Sequence, residues 1–97
     1  MDRSEALRII SVHEGEIKGF GVRRLALFGS VARDEAGPES DVDVLVEFDD
    51  RPIGLFEFVD LQRYLESILH APVDLETEDG LKQQLRENIL KEAIPAA

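Results

Sequence analysis

Residues 41–48 read Asp-Val-Asp-Val-Leu-Val-Glu-Phe. Every second residue is apolar (Val42, Val44, Val46, Phe48), and three of the four between them are acidic. A period of two puts alternate side chains on opposite faces of a strand, so this stretch is a strand with one buried and one wet face. Asp41 and Asp43 then point the same way, roughly 6.8 Å apart along the chain. Two carboxylates held on one surface repel unless something positive lies between them. The rest of the chain has to supply a layer for the valines and a purpose for the acids.

The remaining pattern supplies the layer. Residues 2–20 carry Ala6, Ile10, His13, Ile17 and Phe20 at helical spacing, which predicts one long helix. His13 lies on that stripe and reads as a packed, hydrogen-bonded histidine. Residues 24–28 form a short apolar run closed by Gly29, a strand expected to be buried on both faces. A brief helix over 31–35 and a loop over 36–40 lead to the strand 41–48, and a turn-rich connector follows over 49–54. Residues 55–69 form a second long helix with Leu55, Phe58, Leu61, Leu65 and Ile68 on its apolar face, widened by Val59 and Leu69. His70 follows it, where a cation suits the helix dipole. Residues 72–76 read as a third strand, with Val73 and Leu75 on one face and Asp74 on the other. Residues 77–94 read as a last helix with Leu81, Leu85, Ile89 and Ala93 at intervals of four and a supporting Glu87–Lys91 pair. Strands joined through helices imply an α/β chain of the α+β type, a small mixed sheet with helices packed on one side.

A length of 97 residues supports a single domain, 1–97, with a thin core. A hydrophobic content of 43% with 33% charged residues describes a folded chain, not a disordered one. No apolar run approaches the roughly 18 residues of a membrane span, and the start has no basic-then-apolar signal pattern. The absence of cysteine removes disulfides and thiolate metal sites and fits a cytoplasmic location. The formal charge is −10, from 21 acids against 11 bases. That balance argues against direct nucleic-acid binding, which needs clustered cations, and suits a basic protein partner or metal ions. Solubility alone would also account for it.

Asp74 should share the wet face with Asp41 and Asp43 if the third strand lies beside the second. Three such carboxylates suit divalent cations, above all Mg²⁺, which takes oxygen ligands and completes its shell with water and phosphate. Gly29-Ser30, at the end of the preceding strand, is a complementary turn. Glycine lets the backbone approach a ligand closely, the Ser30 hydroxyl adds a donor, and Arg33 is one turn on, within reach of the same phosphates. An acid–apolar strand, a D-x-D or a Gly-Ser pair is common alone; their joint spacing is not.

Gly29-Ser30, ten intervening residues, then Asp41-Val42-Asp43 resembles the G-S-x10-D-x-D signature of the polymerase-β-like nucleotidyltransferase superfamily. The stretch LALFGSVARDEAGPESDVDVLVEF, continued by LQRYLESILHAPVDLET and LKQQLRENILKEAIP, is similar to the minimal nucleotidyltransferases (MNT proteins) paired with HEPN-domain toxins. The resemblance implies Mg²⁺-dependent transfer of a nucleoside monophosphate from a triphosphate, with pyrophosphate leaving and two metal ions engaged. It assigns Asp41, Asp43 and Asp74 as catalytic and metal-binding, and Gly29 and Ser30 as nucleotide-binding, with Arg33 joining them on the geometry above. It further implies an antitoxin that neutralises a HEPN-family RNase toxin by moving AMP from ATP onto a toxin tyrosine. The alternative is an antitoxin that acts by stoichiometric binding without catalysis. Against the fuller family pattern Gly-Ser-Arg-Ala-Arg-Gly-Glu-Ala, this chain has Val31 in place of the first arginine and Asp34 in place of the glycine.

Overall fold

The computed structural model describes residues 1–50 and 54–97, so the middle of the connector expected over 49–54 lies outside the described residues. Four strands form one mixed sheet in the order β3-β2-β1-β4. They are β1 (Val22–Phe28), β2 (Val42–Phe48), β3 (Val73–Thr77) and β4 (Ile94–Pro95). β1 runs antiparallel to β2 and β4, whereas β2 and β3 are parallel. The β2-to-β3 crossover is α4 (Leu55–Leu69), the connection a parallel pair requires.

The period-two reading of β2 holds. Val42, Val44 and Val46 are buried at 0–1% exposure, while Asp41 and Glu47 are exposed. Against the valine face lie α1 (Arg3–Val12), α2 (Glu14–Gly19) and α4, with Ala6, Ile10, Ile17, Leu61, Leu65 and Leu69 wholly inside. β1 is less symmetric than its composition suggests. Leu25 and Leu27 are buried, Ala26 is half-buried and Arg23 and Arg24 are exposed. Its other face, with Ala26 and buried Phe28, meets α5 (Gln83–Glu92), so the helices do not all pack on one side of the sheet as expected.

Further expectations need correction. The helix expected over 2–20 breaks in two at His13, whose backbone leaves helical geometry at φ −102, ψ 16. Its ring Nδ1 lies 2.8 Å from the Ile9 carbonyl oxygen, and its ring packs edge-on to Tyr64, so it is the packed histidine expected. Gly15, directly beyond, lowers the helix propensity that would have bridged the break. Leu55 does not join the apolar face of α4; it is 74% exposed at the first turn. The helix expected over 77–94 is three elements: a 3-10 turn (Glu78–Gly80), α5 (Gln83–Glu92) and β4. At Ala93 the backbone turns extended, because Pro95 cannot continue a helix but is tolerated on an edge strand. Ala96 and Ala97 donate to the Leu25 carbonyl and Leu25 donates back to Ala97, which fastens the chain end to β1.

The brief helix begins earlier than expected, as α3 (Gly29–Ala32). After it, Asp34 has φ 60, the left-handed region where glycine is unstrained and Asp is among the better-tolerated alternatives. Its Oδ1 accepts the Arg3 N–H at 3.1 Å. At this departure from the glycine of the resembled pattern, the Asp34 side chain is held by the distant N-terminal helix. Lys91 and Glu87 pair at 3.4 Å as expected. No helix among the described residues is long and apolar enough to cross a membrane.

Candidate active site

The sheet register brings the predicted acids together. Asp43 of β2 is the direct partner of Asp74 on parallel β3, and of Phe28 on antiparallel β1. Register partners share a face, so Asp43 and Asp74 stand side by side opposite the valine core. Asp41, just before β2, lies two residues up on the same side. Asp43 is half-buried, while Asp41 and Asp74 are exposed.

The Gly-Ser turn closes on this pair. Gly29 has φ +70, and a Cβ built on it would lie 2.0 Å from Asp43 Oδ2. No other residue type fits there without moving the carboxylate. Glycine thus serves two ends: it takes a left-handed backbone, and it lets Asp43 rest directly against the turn. Ser30, half-exposed, opens α3 beside it. Arg33, at the end of α3, is held by Glu35 through Nε at 3.2 Å and by Glu92 through Nη1 at 3.0 Å.

Electrostatics mark Asp43 as the strained member. Burial first, then the charges of Asp74 and Asp41, push its carboxyl up to about 6, against partial relief from Arg33. Glu76, two residues past Asp74 on the same face, is also raised, by burial and by the charge and hydrogen bond of Asp74. The surface therefore holds more negative charge than its local cations neutralise, and a divalent cation would relieve it. Among the described residues, no group of three or more His, Asp or Glu side chains is arranged to cage a metal ion. The donors are hard oxygens, however, and Mg²⁺ ordinarily takes only one or two carboxylates plus substrate oxygens. Asp41, Asp43 and Asp74 fit it in that sense.

A cleft of about 270 Å³ adjoins the pair, with Phe28, Leu81, Leu85 and Ile89 as apolar walls and Asp74, Glu76 and Lys82 among its polar ones. A second cleft of about 200 Å³, lined by Leu45, Leu90 and Pro95 among others, includes none of the three aspartates. The first is therefore the relevant one.

The match to the nucleotidyltransferase domain spans residues 10–96, the strand, turn and carboxylates included. This chain belongs to the nucleotidyltransferase domain family. Within it, the chain is a minimal nucleotidyltransferase of polymerase-β-like fold. It is 40% identical over 87 residues to protein adenylyltransferase MntA of Thermococcus cleftensis, covering 89% of this chain and 87% of that protein. A solved structure assigned to the minimal nucleotidyltransferases superposes with TM-score 0.84 at 38% identity, over 98% of this chain and 96% of that one. An MNT antitoxin from Shewanella oneidensis, solved in complex with a tri-AMPylated HEPN toxin, shares the fold at TM-score 0.65 and 16% identity, over 94% and 71% of the two chains. The family implies a nucleotide substrate.

Two residues of this nucleotidyltransferase's site escaped the sequence reading. Glu76 was within reach, since the period of two that selects Asp74 selects it as well. Glu92 carried no such signal. It lies 63 residues from Gly29, whose N–H it accepts at 3.0 Å, and only the folded sheet brings them together.

Proposed function

We propose that this nucleotidyltransferase is an antitoxin that moves AMP from ATP onto a tyrosine hydroxyl of a HEPN-family toxin and releases pyrophosphate. The observation that carries the reading is the packing of Gly29 directly on Asp43, with Asp74 in register beside it. That puts a phosphate-binding turn and two carboxylates within one side chain of each other.

Ser30 and Arg33 bind the triphosphate, and Gly29, having no side chain, lets it approach Asp43. Asp41, Asp43 and Asp74 would hold Mg²⁺, two ions in this reading, which when bound would neutralise charge on the triphosphate. The cleft walled by Phe28, Leu81, Leu85 and Ile89 receives apolar parts of the substrates. Asp74, at its edge, accepts the proton of the acceptor hydroxyl, and the freed oxygen bonds to the α-phosphorus. The bond from that phosphorus to the bridging oxygen breaks, and the electron pair leaves with pyrophosphate. A tyrosine hydroxyl is almost wholly protonated at neutral pH, its ordinary pKa being about 10, so proton removal at Asp74 is needed. The acceptor is presented by the toxin, which itself completes the site. Charge complementarity with the −10 surface favours a basic partner.

The test is incubation of the purified protein with the HEPN protein encoded beside it, α-labelled ATP and Mg²⁺. Label on a toxin tyrosine is expected, and loss of label in the Asp41→Asn, Asp43→Asn double variant. A double variant that still neutralises the toxin fully at native expression would instead establish neutralisation by binding alone.

A further inference from the structure

Glu92 ends α5, where the helix dipole disfavours a carboxylate and favours a cation such as the preceding Lys91. A locally unfavourable residue suggests a use elsewhere in the fold. Its Oε1 accepts the Gly29 N–H at 3.0 Å and the Arg33 Nη1–H at 3.3 Å, and its Oε2 accepts Arg33 Nη1–H at 3.0 Å. The Glu92 side chain is only 29% exposed, so water screens this contact less than an open surface pair. Arg33 is gripped from a second side by Glu35. Gly29 is consequently clamped: its N–H meets Glu92, and its Cα side meets Asp43. The two groups Glu92 holds are the turn and the cation that flank Ser30.

We propose that Glu92 is a positioning residue for nucleotide binding, fixing the Gly29 peptide and the Arg33 guanidinium so that Ser30 and Arg33 meet the triphosphate together. The proposal rests on the nucleotide reading of the site given above. Glu92 itself touches no substrate. It acts through preorganisation, because a turn and an arginine already held in place lose less freedom when the ligand arrives. One oxygen bonding both the backbone and the arginine couples the two, which a carboxylate on either alone would not.

Isothermal titration of the full-length protein with the Mg²⁺ complex of a non-hydrolysable ATP analogue tests this, under conditions where circular dichroism shows every variant folded. Glu92→Ala is expected to bind at least tenfold more weakly. Glu92→Gln, whose amide oxygen still accepts the Gly29 N–H but carries no charge for Arg33, should recover part of the loss. Lys91→Ala, one residue away, should bind like wild type. A purely structural role would lower the melting temperature without this graded order in affinity. Folded Glu92→Ala that binds as tightly as wild type overturns the proposal. So does tighter binding, which would make the carboxylate a competitor for the phosphate donors. If Glu92→Ala does not fold, Glu92→Gln decides: several-fold weaker binding supports positioning, and unchanged affinity overturns it. Wild-type protein that binds no analogue would overturn the nucleotide reading and this proposal with it, an outcome distinct from loss of the Glu92 effect alone.

Discussion

Replacing Gly29 by alanine should damage the protein through two separable effects. The first is backbone strain. Gly29 has φ +70, and a residue with a Cβ pays about 1–2 kcal/mol in the left-handed region. The second is steric. The new methyl would sit 2.0 Å from Asp43 Oδ2 and 2.9 Å from its Cγ, and relieving such overpacking costs about 1–3 kcal/mol. Against these stands a gain of about 0.4–1 kcal/mol from stiffening the unfolded chain. The net loss should be about 2–4 kcal/mol, read by urea denaturation with linear extrapolation. A second substitution separates the terms. In an Asp43→Ala background the Oδ2 and Cγ contacts are gone and only the Cβ at 3.2 Å remains, so Gly29→Ala should cost mainly the strain, about 1 kcal/mol. The cycle should therefore show a coupling of about 1–3 kcal/mol between the two positions. Additive losses would refute the steric account. A Gly29→Ala protein within about 0.5 kcal/mol of wild type would refute both terms and with them the claim that this turn is built around Asp43.

Asp43→Asn should stabilise the metal-free protein at neutral pH. The carboxyl is raised from 3.8 to about 6, so its charged form weakens the fold above pH 6, and the penalty fades as pH falls through 6 toward 4. The full shift corresponds to about 3 kcal/mol, reduced by solvent screening of this half-buried group to about 1–2 kcal/mol; melting curves showing a constant gap between variant and wild type from pH 7.5 to 4 would contradict this. His70→Gly should raise stability by up to about 1 kcal/mol, since His70 caps α4 at φ 53, ψ 40, a conformation glycine takes freely; thermal melting checks it. Leu65→Ala, at a wholly buried position against the sheet, should cost about 2–5 kcal/mol in the same urea assay. Saturating Mg²⁺ with an ATP analogue should stabilise the native state by about 2.7 kcal/mol at a hundredfold excess over Kd, and an unchanged melting temperature would count against the nucleotide site.

Local pattern in this chain was enough for whatever depends on neighbours in sequence. The alternation from Asp41 to Phe48 determined a half-buried strand, because side-chain direction in a strand follows residue parity alone. The α4 bounds were legible for a similar reason, a fifteen-residue amphipathic run with turn residues before it and His70 after it. The spacing of Gly29-Ser30 and Asp41-Val42-Asp43 named the family. Tertiary structure decided the rest. Gly15 and Pro95 weaken the two helices locally, but where each breaks depends also on the packing of His13 against Tyr64 and on the pairing of Ile94 and Pro95 with β1. Parity placed Asp74 on a wet face, but only the parallel register of β3 with β2 set it beside Asp43. The raised carboxyl of Asp43 likewise depends on burial and on charges from other strands. Glu92 is the clearest case: its sequence context is an ordinary exposed helix end, and its contacts to Gly29 and Arg33 span about sixty residues. Hydrogen bonds and Coulomb forces act over a few ångströms of space whatever the separation along the chain, so a residue whose use lies across the fold leaves no periodicity in the sequence to be read.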